Sequence, residues 1–382
     1  MDRPLRLVAQ LAPPLIAVAL CLTASLLAMA LLGYGDETQG GWMGKSMTML
    51  QIVWNKAIVP GNHYRVWIKS LLAATPLLLT GLAAAVAFRA GVLNIGGEGQ
   101  FLVGAIAATA VGVGWPHLDA LGGGAPGWLV LPGLLLAGMA AGAILAAIAA
   151  VLERIRNVPV VLSTLLLNFV AMKSLGLVLA GPLQGSEKFP ASDVLPPAAC
   201  LPQWIPADGR LGLHLGCALA LAAALLVGFI LRFTVFGFRL RMVGENATAA
   251  RFAGVRVGRI AFASLAMSGA LAGLGGAIQI SGVVPCQLLL SMRSTGLGFA
   301  GIAVALLGRL RVGGVIAAAL FFGMLDTAFG ALESEAGVPA VIGQATQGAI
   351  LLAMLVLTHP WWMARIGRLL GRRGTSDNVK AA

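Results

Sequence analysis

The chain has 382 residues, of which 59% are apolar and only 10% charged, and its mean hydropathy is +0.91. Soluble domains carry about 25% charged residues, so this composition excludes a soluble protein and points to an integral membrane protein. The net charge of +12 would suit nucleic acid, a reading that fails if the basic residues collect on one side of a bilayer.

The predicted elements form one polytopic, all-α membrane domain over 1–382. Arg3 and Arg6 precede a first span at 12–33. The small-residue triplet Ala28-Met29-Ala30 lies inside that apolar run rather than after it, so the segment reads as a signal anchor and not a cleaved signal. An external segment follows at 35–66, with Trp42, Trp54 and Tyr64 suited to the interface. Further spans are predicted at 67–88, 100–114, 128–152 and 158–180. An external loop at 182–212 is irregular, being rich in proline (Pro182, Pro190, Pro196, Pro197, Pro202, Pro206). Spans at 213–231, 260–282, 296–308, 312–332 and 341–358 complete about ten. After Trp361-Trp362 a basic tail, 360–382, is expected to meet anionic membrane lipid. The third and eighth spans fall short of the ~20 residues that a free-standing helix needs. They must be broken, tilted or shielded by protein, as in the wall of a cavity.

Charge tests this topology. With both termini inside, eighteen of the twenty-six basic residues face the cytoplasm, the largest group being six arginines in 232–259. That bias accounts for the basic balance without nucleic acid.

The stretch 232–259 reads RFTVFGFRLRMVGENATAARFAGVRVGR and contains Glu245 as its one acid. An arginine at the bilayer centre costs roughly 2.5–3.5 kcal/mol on insertion scales, so the segment is a cytoplasmic loop between spans. Its middle, Gly244 to Gly254, is predicted as one short helix, with Glu245 or Asn246 near its start and Arg251 near its end, as the helix dipole prefers. It reads either as a docking knob for another protein or as a solvated loop whose arginines only fix topology.

Polar residues inside the apolar region are the next signal. In Arg89-Ala-Gly-Val-Leu-Asn-Ile-Gly-Gly-Glu-Gly-Gln100, the side chains of Asn94, Glu98 and Gln100 sit among four glycines. Either the glycines build a bend whose freed amides the Asn and Glu satisfy, or the polar groups touch a substrate. Thr164 and Asn168 share one helix face, with Ser163 beside them and Lys173 a turn or so beyond, as helix glue or as the lining of a water-filled path. Gly269 and Gly273 suit close helix packing, and Gln279 is placed on the path. Gln344, Thr346 and Gln347 form a similar patch.

Other chemistry is excluded. There is no GxxxxGK[ST], HExxH or GxSxG. The GxGxxG match at 296–301 lies in an apolar span and reads as packing glycine. Cys21, Cys200, Cys217 and Cys286 are scattered, which indicates neither a zinc site nor a disulfide framework. The four histidines are isolated interfacial or loop residues. Asn246-Ala247-Thr248 matches a glycosylation sequon on the wrong side of the membrane.

Four blocks carry a family resemblance: AGVLNIGGEGQFLVGA (90–105), NVPVVLSTLLLNFVA (157–171), GFRLRMVGENATAARFAGV (237–255) and STGLGFAGIAVALLGRLRVGG (294–314). Together they span most of 90–314 and resemble permease subunits of bacterial ABC importers. The branch is that of branched-chain amino-acid, ribose-type sugar and nucleoside systems, and the second block is most similar to the nucleoside branch. The resemblance implies a type II importer-like fold of about ten helices in the bacterial cytoplasmic (inner) membrane. It implies a second permease subunit, identical or paralogous, an ABC ATPase subunit inside and an extracytoplasmic substrate-binding protein outside. ATP and Mg²⁺ would be held by the ATPase, and this chain would bind no cofactor or metal. Arg241, Gly244, Glu245, Asn246, Arg251 and Gly254 become the coupling candidates. Asn94, Glu98, Gln100, Ser163, Asn168, Gln279 and Gln344 become the pathway candidates for an uncharged polar solute, nucleosides first and pentose or hexose sugars second. The competing readings are an ion-coupled secondary transporter, which would need intramembrane acids, and a membrane-embedded transferase, for which no acid, metal or histidine cluster is present.

Overall fold

The computed structural model describes residues 64–120, 127–186, 190–205, 212–283, 286–294 and 296–357, with Thr23, Met47, Gln51 and Ile52 as isolated positions. The predicted first span at 12–33, the segment 35–66 up to Tyr64 and the tail 360–382 otherwise lie outside the described residues. Elements are numbered from Tyr64. Eleven helices follow among the described residues: α1 (Tyr64–Arg89), α2 (Gly97–Ala120), α3 (Val130–Arg156), α4 (Val160–Leu179), α5 (Leu215–Phe233), α6 (Val235–Glu245), α7 (Ala247–Phe252), α8 (Val257–Gly282), α9 (Leu297–Leu307), α10 (Val312–Ala336) and α11 (Ala340–Leu357). Among the described residues seven helical stretches are long and apolar enough to cross a membrane, where a helix satisfies its own backbone and an open chain cannot.

One compact unit, Lys56–Thr327, holds α1 to α9. Its centre is the crossing of α2, α3 and α8, made possible by small residues. A methyl group on Gly142 would lie 2.2 Å from the Gly269 carbonyl oxygen, and one on Gly104 would lie 2.4 Å from the Gly273 backbone. Without side chains there, the three backbones touch, and dispersion replaces the hydrophobic drive that lipid cannot supply. Around this crossing Phe101, Leu102, Leu134 and Leu175 are fully buried. Outward faces of α4 and α5 remain apolar and exposed, with Leu166, Phe169, Leu225 and Phe229 each more than half accessible.

The α3–α4 turn is set locally. Asn157 takes a left-handed conformation (φ 54°) and returns its N–H to the Glu153 carbonyl, and Pro159 then caps α4. Among its described residues the 182–212 loop is largely irregular, as predicted, but it contains a 3-10 turn at Pro197–Ala199, and β1 (Gln203–Ile205) pairs antiparallel with β2 (Leu213–His214). The second unit comprises Met1–Asn55 and Ala328–Ala382, the boundary falling within α10. In it, Gly337 turns the chain at φ +65° and the Val338 N–H donates to the Leu332 carbonyl.

The third predicted span needs correcting. The sequence suggested a short helix at 100–114, whereas α2 runs for 24 residues. Gly97, Glu98 and Gly99 join its first turn because helix-terminal N–H groups need no intrahelical partner, and here other segments supply one. The eighth span is short as predicted, with α9 having 11 residues.

Candidate functional site

α1 ends at Arg89 and the chain turns through Ala90 and Gly91 (φ +74°) before α2 begins. The intervening Val92–Gly96 has no regular structure, so its backbone groups require partners. Asn94 supplies several. Its amide nitrogen donates to Gln100 Oε1 (3.0 Å) and to Ser268 Oγ (2.9 Å), and its Oδ1 accepts from the Gly96 N–H (2.9 Å). Ser268 Oγ in turn donates to the Ala83 carbonyl at 2.7 Å. From α4, Asn168 Oδ1 accepts from the Gly99 N–H (2.8 Å) while its amide donates to the Ile95 carbonyl (3.0 Å). Thr164 Oγ1 stands 3.4 Å from the Ile95 N–H. The result is a closed, buried polar knot tying α1, α2, α4 and α8 at one point. Each such bond contributes about 1 kcal/mol net, and a partner left unmade would cost about 1–3 kcal/mol.

Glu98 does something different. It is fully buried on α2, and its two carboxylate oxygens accept from the Gly296 N–H (3.1 Å) and the Gly298 N–H (2.6 Å). These amides open α9, whose first residues lack an intrahelical acceptor. A carboxylate at that positive end is favoured by hydrogen bonding and by the helix dipole together. A methyl group on Gly298 would lie 2.1 Å from the Glu98 amide nitrogen, so only glycine lets the two backbones come close enough. Thr80 completes the joint, with Oγ1 3.1 Å from the Leu297 carbonyl. Of the glycines at 296–301, Gly298 and Gly301 are packing glycines as predicted, whereas Gly296 meets nothing within 4 Å and is the left-handed cap of α9 (φ +65°).

Of the pathway candidates, Asn94, Glu98, Gln100 and Asn168 are therefore gathered into one place, with their polar atoms bonded to protein. Ser163 lies beside them on α4, and its Oγ is the buried side-chain polar atom without a partner among the described residues. Gln279 stands apart, half-buried near the end of α8. Gln344 falls within α11, and its side chain lies outside the described residues. Thr80 was missed, and no sequence signal could have found it, because its partner is 217 residues away.

The 232–259 loop differs from the single helix predicted between Gly244 and Gly254. α6 continues through Gly244 to Glu245, the chain breaks at Asn246 (φ −156°), and a separate six-residue α7 begins. Asn246 is the hinge and the cap, its Oδ1 accepting from the Ala249 N–H at 2.9 Å. Arg251 lies in the last turn of α7, and Gly254 (φ +79°) ends the motif. Ala250 is buried, while Glu245, Arg251 and above all Phe252, 90% accessible, project outward. The sequence reading passed over Phe252. Beside α7 a concavity of about 900 Å³ is lined by Arg154, Arg251, Arg256, Arg259 and Phe262, with Glu153 as its one acid. Arg241 points elsewhere: its guanidinium donates to the Leu231 carbonyl and shares a 480 Å³ cavity with Arg89 and Arg232.

Gly244 joins this loop to the polar knot. A methyl group there would lie 1.9 Å from the Arg89 carbonyl oxygen and 3.3 Å from the Gly91 nitrogen. The end of α6 thus rests backbone to backbone on the turn that feeds Asn94 and Glu98.

At the other ends of α5 and α8, about 28–39 Å away by helix length, His214 caps α5. Its Nδ1 accepts from the Gly216 N–H at 3.1 Å, and its ring is enclosed by Gly282. Burial holds its pKa at about 4, so the imidazole stays neutral. The sequence reading had placed it as an interfacial or loop residue; it is 3% accessible. Among the described residues no cluster of three or more His, Cys, Asp or Glu side chains could hold a metal.

Comparison with known proteins matches residues 66–358 to the family described as branched-chain amino acid transport system / permease component. The guanosine ABC transporter permease protein NupP of Bacillus subtilis is 33% identical over 290 residues, 76% of this chain and 77% of the relative. The glucose ABC transporter permease protein TsgB13 of Haloferax volcanii is 34% identical over 324 residues, 81% of each. The nucleoside ABC transporter permease protein NupB of Lactococcus lactis is 28% identical over 246 residues, 62% of this chain and 64% of the relative. No solved structure matches.

Proposed function

The chain belongs to the branched-chain amino acid transport system / permease component family, and from that premise we propose that this multi-pass membrane permease subunit passes purine-type nucleosides. The 232–259 loop faces the cytoplasm in this reading, with both termini on the same side. An ABC ATPase subunit docks there, a second permease subunit, identical or paralogous, completes the pathway, and a binding protein delivers substrate to the β1–β2 face. ATP and Mg²⁺ belong to the ATPase.

The observation that carries the mechanism is the seat of Gly244 on the Arg89–Gly91 turn. A push on the loop reaches that turn without passing through a flexible side chain. The turn leads into the knot of Asn94, Gln100, Asn168 and Ser268, and one residue pair further on Glu98 holds the start of α9. The docked ATPase does work on this train only to the extent that it binds the inward and outward states with different affinity. Glu98, a buried acid of the kind an ion-coupled carrier would need, is engaged with two backbone amides. The Ser163 hydroxyl, without a partner among the described residues, and the half-buried Gln279 offer neutral hydrogen-bonding groups, which suits a neutral polar solute such as a nucleoside.

Uptake by vesicles holding the assembled complex tests this reading. Labelled guanosine should accumulate with internal ATP, excess unlabelled nucleoside should compete, and glucose should compete at least tenfold more weakly. Accumulation driven by a proton gradient without ATP would overturn the mechanism, and preference for glucose would overturn the substrate.

A further inference from the structure

Cys200 and Cys286 are 86 positions apart in sequence, yet both are free thiols close enough for each to perturb the other's pKa. The backbone around them is fastened in register. The Leu195 N–H donates to the Cys286 carbonyl (3.0 Å), and the Leu201 N–H donates to the Ser281 carbonyl (2.7 Å). Cys286 Sγ lies 3.5 Å from that same Ser281 oxygen, while Cys200 Sγ lies 3.8 Å from the Pro196 carbonyl. The seam continues away from the thiols. The Ser192 N–H donates to the Leu288 carbonyl (3.0 Å), Ser192 Oγ accepts from the Leu288 N–H (3.1 Å), and the Leu290 N–H donates to the Pro190 carbonyl (3.2 Å). Two chain segments thus lie side by side, and Cys286 Sγ shares the Ser281 carbonyl with the N–H of Leu201, the neighbour of Cys200.

We propose that Cys200 and Cys286 form a disulfide that locks the 190–201 loop onto the segment leading into α9. This rests on the reading above that their face is extracytoplasmic, where thiols oxidise and disulfides persist. The two positions divide the work. Cys286 is 4% accessible within the hydrophobic core, whereas Cys200 sits half-buried at its edge. Its interaction with the Cys286 side chain draws the Cys200 thiol pKa down, and burial opposes this only in part; interaction with Cys200 and burial push Cys286 up. Cys200 is therefore the attacking thiolate and Cys286 the captive second sulfur.

The oxidant is a disulfide-bearing thiol oxidoreductase of that compartment. Cys200 sulfur attacks one sulfur of its S–S bond, giving a mixed disulfide and releasing one oxidant thiolate. Cys286 sulfur then displaces the second, forming the Cys200–Cys286 bond. Two electrons pass to the oxidant sulfurs, and the two thiol protons are taken up there or by solvent. Cys286 occupies a left-handed backbone position (φ +56°), which L residues other than Asn and Asp seldom adopt, so the fold holds this sulfur in place at some conformational cost. With Glu98 gripping Gly296 and Gly298, the bond would hold the entry to α9 from both directions.

The test uses the whole complex in its native membranes. Acid quenching and denaturation with a light maleimide cap free thiols; reduction and a heavy maleimide mark those released. Peptide mass spectrometry should find the heavy label on both Cys200 and Cys286 and the light label on Cys217, which lies within α5. In Cys200→Ser, Cys286 should change from heavy to light label. Light label on both cysteines of the native chain, or heavy label persisting on Cys286 in Cys200→Ser, would overturn the disulfide. Guanosine uptake by the same membranes reports separately: its presence with light-labelled cysteines removes the disulfide alone, and its absence with heavy-labelled ones removes the substrate reading alone.

Discussion

A single carboxylate decides how α9 is held. Glu98 is the one acid in the 89–100 motif, and both its oxygens are committed to backbone amides 198 and 200 residues away. Carboxylates accept and cannot donate when ionised, which matches two N–H donors and no acceptor at the start of a helix. A histidine plays the converse part at the other face, where neutrality matters. His214 Nδ1 must keep its lone pair to accept from Gly216, and burial depresses its pKa from 6.5 to about 4. The unfolded chain therefore binds a proton between these values when the folded chain does not. Stability is fully present above pH 6.5 and falls as pH drops towards 4, by on the order of 2–3 kcal/mol. Thermal unfolding of the detergent-purified protein at pH 7, 5.5 and 4.5 checks this. His214→Asn keeps a capping acceptor and should flatten the dependence in that window; an unchanged slope would remove His214 as its source.

At the scale of elements, the joint between α6 and the α1–α2 turn is the part most open to a small change. Gly244→Ala adds one methyl where the nearest atom, the Arg89 carbonyl oxygen, is 1.9 Å away. Something must shift, and overpacking of this kind costs about 1–3 kcal/mol. Gly176→Ala, within α4, meets nothing within 4 Å and serves as the control. In reconstituted complexes, Gly244→Ala should reduce substrate moved per ATP hydrolysed several-fold, with the control unchanged; equal coupling in the two would remove the joint. The sequence announced these elements unevenly. Hydropathy and arginine placement were enough to find α1, α3, α4, α5, α8 and α10 to within a few residues, because both are summed over twenty positions. The 89–100 glycines were legible as a bend. Which partner each polar side chain takes was not, since Glu98–Gly298, Thr80–Leu297 and Cys200–Cys286 are long-range pairs with no spacing rule. The length of α2 was misjudged because its first-turn glycines look like helix breakers until the partners of their amides are known.

For the whole molecule, the question is what meets the exposed end of the loop. α7 is too short to be stable alone in water, and it is held by its cap and by buried Ala250. What it presents is a large aromatic side chain, Phe252, at 90% accessibility between Arg251 and the Gly254 turn, beside a concavity rich in arginine. An exposed aromatic on a rigid short helix, rimmed by charge, has the anatomy of an interface anchor. A fully exposed phenyl ring also gains by leaving water. The loop arginines favour an acidic rim on the partner, and long-range attraction of that kind governs the rate of encounter more than the strength of the complex. Phe252→Ala should therefore leave membrane insertion and His214-dependent stability intact while weakening capture of the ATPase subunit at least tenfold, about 1.4 kcal/mol or more. Glu245→Arg should abolish uptake by adding like charge to the same surface. Copurification of the ATPase with affinity-tagged permease, titrated across salt concentration, separates the two effects: loss in Phe252→Ala should persist at low salt. Undiminished ATPase capture by Phe252→Ala would move the docking site away from α7 and towards the arginine-lined concavity alone.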